Sequence, residues 1–394
     1  MNHSAPSNGD GKTDGAYRVG EAAVRAIVLH LPQFHPIPEN DEWWGKGFTE
    51  WSSVARTTPR FPEHYQPHLP ADLGFYDLRL PEARAAQAQL AAEYGIYGFC
   101  YYHYWFHGRQ ILERPVNEIW KSGQPEFPFC LCWANESWTR RWDGQNNDIL
   151  LEQRYSPADD LAHIRSLIPL FSDPRYIRVE GRPLFLVYRA TAMPEPEKTA
   201  DLWRREAERG GLKGLFLVRV ESHNESGNPR ELGYDYSLEF QPYWAHVWFW
   251  RVFRRKWWHV RRLRTHEPGL RENNVFDYRL LVKNALAAPV PAYPRIPCVC
   301  PGWDNSPRKK RDANILIDST PELYGSWLSE VVSRMKPSKG SEISADSFVF
   351  INAWNEWAEG NHLEPCQRWG RKYLEATRKA LGVPANQGIE YAHR

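Results

Sequence analysis

Eight short apolar runs, separated by helical or polar stretches, set the tightest limit on what this chain can fold into. They read AIVLHL (Ala26–Leu31), YGIYGFCYY (Tyr94–Tyr102), FPFCLCW (Phe127–Trp133), PLFLVYR (Pro183–Arg189), GLFLVRV (Gly214–Val220), YSLEFQPY (Tyr236–Tyr243), IPCVCPGW (Ile296–Trp303) and SFVFINAW (Ser347–Trp354). Most are too short for helices and rich in β-branched and aromatic residues, so they predict strands. Near-continuous apolarity predicts burial on both faces, as in a parallel sheet. Helical patterns lie between several runs, at Leu80–Glu93, Pro157–Leu170, Pro194–Arg209 and Pro321–Met335, with Ser156 as N-cap before Pro157. Alternation of this kind predicts one (β/α)8 TIM-type barrel with loop insertions over residues 23–383, in the α/β class. An open doubly wound sheet is the competitor. The barrel is favoured because polar and aromatic residues gather just after the runs, where a barrel places its active site. Residues 1–22 and 384–394 are small and polar and predict tails.

The aromatic content is high, with 19 Trp, 19 Tyr and 17 Phe. A core does not need so many indoles, so many are expected to lie partly exposed or to line a cavity, where flat rings suit the C–H faces of sugars and equally bases and quaternary amines. A net charge of +2 gives no global bias and argues against nucleic-acid binding. No secretory signal or membrane-spanning run is visible, which predicts a cytoplasmic location with reduced thiols.

The clusters after the runs supply the candidate site. The first is followed by His30, Gln33, Trp43, Trp44, Glu50 and Trp51, the second by His103, Tyr104 and Trp105, and the third by Asn135, Glu136 and Trp138. The sixth ends in Gln241 and Tyr243, the seventh gives Trp303, Asp304 and Arg308, and the eighth gives Asn355, Glu356, Trp357 and Glu359. Any one of these is more often a packed structural residue. Together they offer hydrogen bonds to many hydroxyls beside stacking platforms, which a sugar site requires.

Breaking a glycosidic bond needs one group to protonate the leaving oxygen and a second to act on the other side. WNEWAEG places Glu356 and Glu359 three residues apart. A helical turn there points both the same way, and mutual repulsion helps keep one protonated. Two Glu at this spacing are also common on exposed helix faces. A rival pair exists, because Asn135-Glu136 repeats the Asn355-Glu356 dipeptide. Glu136 and Glu356 would then be partners, with Glu359 in support.

NEWAEG (Asn355–Gly360) resembles the corresponding segment of glycoside hydrolase family 99, the endo-α-1,2-mannosidases and mannanases. LHLPQFHPIPENDEWWGKGFTEW (Leu29–Trp51), GFCYYHYWF (Gly98–Phe106), CWANESWTRRWDG (Cys132–Gly144) and PGWDNSPR (Pro301–Arg308) resemble the WbsX-like group, described as glycosyltransferase or lipopolysaccharide-biosynthesis proteins with a family-99-like domain. The resemblance runs from about Ala26 to Leu381. It implies a (β/α)8 barrel and metal-free carbohydrate chemistry with retention. It implies Glu356 as the base that deprotonates the sugar's own 2-hydroxyl and Glu359 as the acid/base at the glycosidic oxygen. The segment departs from the hydrolases at Ala358, where they carry His.

Cys130-x-Cys132 and Cys298-x-Cys300 have the look of zinc ligands but sit inside predicted strands, so small core residues are the expectation and no metal or other cofactor is expected. Residues 248–264, WFWRVFRRKWWHVRRLR, have the pattern of a basic amphipathic helix. Such a helix predicts contact with an anionic membrane surface, peripheral to the inner membrane, against the alternative of an insertion helix packed on the barrel. There is no Walker loop and no Asp-x-Asp. Three readings stand. The first is a glycoside hydrolase-like enzyme acting at an α-linkage of a bacterial surface polysaccharide or its precursor. The second is a glycosyltransferase of O-antigen or lipopolysaccharide assembly. The third is a non-catalytic glycan-binding barrel.

Overall fold

The structure is a computed structural model that describes residues 24–139, 149–223, 225–247, 268–335 and 343–384. The expected tails, apart from Pro384, and the basic aromatic stretch 248–264 lie outside the described residues.

All eight apolar runs form strands: β1 (Arg25–His30), β2 (Ile96–Phe106), β3 (Phe129–Trp133), β4 (Arg182–Val187), β5 (Phe216–Glu221), β6 (Tyr236–Glu239), β7 and β8 (Phe348–Ile351). β7 comes in two pieces, Arg295–Ile296 and Cys298–Val299, divided by Pro297. The first piece pairs with β6 (Leu238 to Ile296) and the second with β8 (Cys298 to Phe350). Proline has no N–H to give to a ladder, so it sits where the strand changes partners, while its carbonyl still accepts from Phe350 N at 2.9 Å. β8 in turn pairs with β1, and every pairing around the ring is parallel, so the sheet closes on itself as the apolar runs predicted.

Helices cover the outside at Pro81–Glu93, Arg114–Ser122, Pro157–Phe171, Pro196–Arg209, Tyr278–Ala287, Pro321–Arg334 and Lys372–Ala380. Ser156 and Thr320 cap two of them, accepting from Asp159 N at 3.2 Å and Leu323 N at 3.3 Å. The expected alternation fails once: between β5 and β6 the described chain makes only a 3-10 turn, Pro229–Leu232. The indoles are less committed to the cavity than expected. Trp133, Trp203, Trp327, Trp354 and Trp357 are fully buried, and Trp203 donates to Asp160 O at 3.0 Å between two covering helices. A large flat ring fills the wide seam between barrel and helix shell when its one N–H finds a carbonyl. All six cysteines are free and buried, with Cys100 opposite Cys130 across β2 and β3. Among the described residues no three His, Cys, Asp or Glu side chains gather as metal ligands.

Two asparagines extend the barrel ladder beyond its strands. The main-chain ladder between β3 and β4 ends with Tyr188 N to Trp133 O at 2.9 Å. Asn135 then takes over, its Oδ1 accepting from Arg189 N at 2.7 Å and its Nδ2 donating to Arg189 O at 2.9 Å. Between β8 and β1 the ladder ends with Trp354 N to Leu29 O at 2.8 Å. Asn355 repeats the device on Leu31, accepting at 2.8 Å and donating at 3.0 Å. An amide imitates a peptide group, so each Asn satisfies both a donor and an acceptor of the neighbouring loop. The glutamate after each Asn is thereby fixed at the barrel mouth. Asn355→Ala would leave buried backbone groups unpaired and should cost about 2–4 kcal/mol in urea unfolding. Asn355→Asp keeps the acceptor but turns a carboxylate oxygen toward the Leu31 carbonyl in a fully buried place, so at neutral pH it should cost at least as much. Equal stability of Asn355→Ala and the parent would refute the ladder role.

Candidate active site

A cavity of about 510 Å³ opens at the carboxyl ends of the strands. Tyr102 and Tyr104 of β2, Tyr188 after β4, Phe240 after β6, and Trp44, Trp138 and Trp303 from the segments that follow β1, β3 and β7 give it aromatic walls. Gln33, Asn135, Glu136, Arg189, Arg308, Glu356 and Glu359 supply polar groups.

Arg308, carried by the loop after β7, organises the acidic side. Its guanidinium donates to Glu50 Oε1 at 2.6 Å, to Glu356 Oε2 at 2.9 Å and to Glu359 Oε1. Glu50 arrives from the long β1 loop at the start of the helix Glu50–Arg56, is fully buried, and also accepts from Ala358 N at 3.0 Å. Three carboxylates thus share one guanidinium. Burial pushes Glu356 up to about 8, and Glu359 and Glu50 add to the rise against the opposing pull of Arg308. Burial also raises Glu359, with Glu50 helping. Burial works against the Arg308 charge, but Glu50, Glu359 and Glu356 outweigh it and hold its pKa well above the ordinary value. The fields of these carboxylates reach Tyr102 and Tyr104, whose phenols are raised first by burial and then by Glu356.

Glu136 stands in a different setting. It accepts from Arg189 Nη1 at 2.9 Å, with His223 Nε2 at 3.5 Å, and its side chain is 35% exposed against 8% for Glu356. Arg189 also holds Glu225 at 3.0 Å. The glutamates of both Asn-Glu dipeptides therefore line one cavity, but Glu356 shares its cation with Glu359, not with Glu136.

Ten of the expected residues line the cavity: Gln33, Trp44, Tyr104, Asn135, Glu136, Trp138, Trp303, Arg308, Glu356 and Glu359. The others do not, and the reasons are local. β2 runs on to Phe106, so its alternation sends Tyr102 and Tyr104 to the cavity and His103 and Trp105 to the opposite face. There His103 meets His163 at 2.9 Å and Trp105 donates to Asp159 at 3.1 Å. His30 is buried against Gln87 at 3.2 Å and held neutral, pushed down to about 3 by burial. Trp51 donates to Tyr76 O at 2.9 Å and packs on Trp357, which donates to Glu364 at 2.6 Å. Glu364 also accepts from Gln87 at 2.7 Å and Tyr76 at 2.9 Å, and burial raises it to about 7. Asn355 donates to the same Tyr76 hydroxyl at 3.1 Å. Glu50, Trp51, Asn355 and Trp357 thus form the bed under the carboxylate pair. Trp43 stands behind Trp138 with ring centres 5.8 Å apart. Gln241 bonds Glu239 at 2.7 Å, and Tyr243 packs on His246. Asp304 faces a second cavity, bonded to His64 at 2.7 Å.

Tyr102, Tyr155, Tyr188, Arg189, Phe240 and Asn352 line the cavity without having been singled out. Tyr188 and Arg189 had a visible signal, since they end the fourth apolar run in the position that marked the other clusters. Tyr155 had none, as it is placed by tertiary contacts, accepting from Asn135 Nδ2 at 3.0 Å, donating to Asn135 O at 3.0 Å and packing on Trp133.

Comparison with known proteins now places the chain. Two proteins from Xanthomonas campestris pv. campestris, each described as uncharacterized protein WxcX, are 43% identical to it over 96% of this chain and 54% of their own length. The chain therefore spans about half the length of these curated relatives. Among solved structures, the GH99 endo-alpha-mannosidase from Bacteroides thetaiotaomicron superposes with a TM-score of 0.52 at 15% identity, covering 91% of this chain and 96% of that one. A glycoside hydrolase-like protein superposes with a TM-score of 0.56 at 12% identity, covering 95% and 98%. At such identities the likeness is one of fold. The family model described as glycosyltransferase WbsX matches residues 26–377, and the chain belongs to that family.

Proposed function

We propose that this barrel cleaves or transfers at an α-glycosidic bond of a bacterial surface polysaccharide or its precursor, with Glu356 and Glu359 as its acid/base pair. The observation that carries the reading is the grip of Arg308 on both carboxylates at the wall of an aromatic cavity. Two carboxyls in one low-dielectric place cannot both ionise freely, so the pair keeps a proton near neutral pH. That proton can go to the leaving glycosidic oxygen while the partner carboxylate removes one from the attacking hydroxyl. The attacking group is the sugar's own 2-hydroxyl in the resemblance-based route, followed by water in hydrolysis or an acceptor hydroxyl in transfer. Burial raises the proton affinity of both carboxyls, so in this reading the pair shares one proton in the unliganded cavity, and that proton sits on Glu359 when Glu356 acts as the base. The pair titrates as a unit.

The family description favours transfer. A sugar nucleotide donor would need unmatched cations for its phosphates. Arg189 and Arg308, the cations lining the cavity among the described residues, are already bonded to carboxylates. A neutral glycan suits this lining better. Among the described residues no helix is long and apolar enough to cross a membrane. Contact with an anionic membrane through 248–264 remains part of the proposal for lipid-linked substrates.

Purified chain should release or transfer sugar from labelled α-mannan fragments or related surface glycans. Glu356→Gln and Glu359→Gln should each cut turnover by about a thousandfold or more. Arg308→Lys should also fall steeply, because a point charge cannot hold several carboxylates in one plane. Turnover of sugar nucleotides with acceptors, unaffected by either Gln variant, would overturn the assignment. Glycan binding without turnover by the parent across the panel would favour the binding-barrel reading.

The profile of kcat/KM against pH should be a bell. Its alkaline limb should fall near pH 8 as the pair loses its shared proton, and its acid limb should lie above the usual carboxylate range as the pair gains a second one. A profile flat from about pH 6 to 9 would contradict the shared proton. Stability should follow the same group. The folded chain binds the Glu356 proton more tightly than the unfolded chain, so stability declines as pH rises from the ordinary carboxylate range to about 8. Glu356→Gln removes that penalty, so its melting temperature should exceed the parent's at pH 8 and converge with it near the ordinary carboxylate pKa.

A further inference from the structure

A second cavity of about 410 Å³ lies behind the first, and Trp303 lines both. The partition is thin. Asp304 N donates to Glu359 O at 2.5 Å, and a Cβ on Gly360 would meet Asp304 Cβ at 2.9 Å. We propose that this second cavity is a carbohydrate-binding subsite that takes a neutral sugar unit against Tyr65, Trp303 and Trp369, with His68 Nε2 accepting one of its hydroxyls. The inference rests on the glycan reading above.

The protonation pattern of the histidines supports it. The Glu364 carbonyl can only accept, so His362 Nδ1 donates to it at 2.9 Å. Burial pushes His362 down to about 3, so the ring is neutral and its Nε2 is a bare acceptor. His68 Nδ1 must then donate to that atom at 3.0 Å. Burial likewise lowers His68 to about 4, against the Asp304 charge and a hydrogen bond to the Tyr65 main chain, so this cavity-lining ring is neutral, and its Nε2 keeps a lone pair with the Tyr65 carbonyl sharing the Nδ1 proton. A chain of hydrogen bonds anchored on a carbonyl thus holds an acceptor in place at any physiological pH, as a sugar hydroxyl requires.

The same bookkeeping of atoms rejects the rivals. His64, His68, His362 and Asp304 have the composition of a metal site. But the Arg60 N–H donates to His64 Nδ1 at 2.9 Å and His64 Nε2 faces Asp304 at 2.7 Å, so neither His64 nitrogen is free for a metal, and neither His362 nitrogen is. An anion site needs unmatched positive charge, yet Arg279 is held by Asp277 at 3.2 Å and Asp318 at 3.2 Å. Arg368 stacks over Tyr65 at 4.6 Å and Trp369 at 5.1 Å, and Glu63, Asp304 and Asp318 on the same lining leave no excess of positive charge. Balanced charge, a fixed acceptor and ring faces fit a polyol.

Calorimetric titration of the full chain tests this with the methyl α-glycosides of mannose, glucose, galactose, rhamnose and N-acetylglucosamine, α-mannotetraose and inorganic phosphate. At least one sugar should bind the Glu356→Gln/Glu359→Gln double variant. Trp369→Ala and His68→Phe should each weaken that binding by about tenfold or more, while Trp44→Ala, confined to the first cavity, should not. Trp369 is half-buried at the surface, so its variant keeps the test decisive if His68→Phe fails to fold. The proposal is overturned if no panel sugar binds, if binding ignores Trp369→Ala, if Trp44→Ala abolishes it, or if phosphate binds there instead. Turnover by the parent chain is measured separately, so loss of the catalytic reading and loss of this subsite are told apart.

Discussion

One guanidinium shared by three buried carboxylates is the constraint around which the barrel mouth is arranged. Arg308 draws Glu50 from the β1 loop and Glu356 and Glu359 from the β8 exit toward the β7 loop. Fully ionised, the group carries an excess of negative charge in a place with little water. Buried ion clusters seldom add net stability, because desolvation consumes most of the attraction. What they provide is position and a tuned proton affinity. Here the excess is relieved by holding a proton, which burial favours on the Glu356 and Glu359 pair. Carboxyls with raised proton affinity beside an aromatic cavity are expensive to maintain, which is why such arrangements gather at sites of chemistry.

The two Asn-Glu dipeptides show how the same local sequence acquires different chemistry. In both, the Asn continues a parallel ladder with its side-chain amide and delivers the next residue to the mouth. Past that point the surroundings diverge. Glu136 meets Arg189 and His223 at a rim that water reaches, whereas Glu356 meets an arginine already committed to two other carboxylates. The dipeptide is a positioning device, and its electrostatic neighbours assign the task.

The closed barrel could be read from the chain because parallel strands buried on both faces leave continuous apolar runs, and all eight were visible. The site was less legible. His103, Tyr104 and Trp105 look equivalent as a polar and aromatic cluster, yet β2 extends through them and its alternation divides them between cavity and shell. Glu50, Trp51, Asn355 and Trp357 lie under the carboxylate pair instead of lining the cavity, a distinction of depth that one dimension does not encode. The 3-10 turn found among the described residues between β5 and β6, where a helix was expected, and the Trp residues spent on helix packing are likewise tertiary outcomes.

The glycine that closes NEWAEG follows from the same geometry. Gly360 has φ +56°, in the left-handed region, and its missing Cβ is where Asp304 packs at 2.9 Å. A larger residue would push the turn off the β7 loop and strain its backbone as well. Because Asp304 N also holds the Glu359 carbonyl, the height of the second carboxylate in the cavity is set by main-chain contact. Asp304 is itself fixed from behind by His64 and Gln66, and their hydrogen bonds keep its carboxyl below the ordinary value although burial pulls the other way. The wall that carries Glu359 is therefore braced from the second cavity, and the position of the carboxylate pair depends on residues that face away from it.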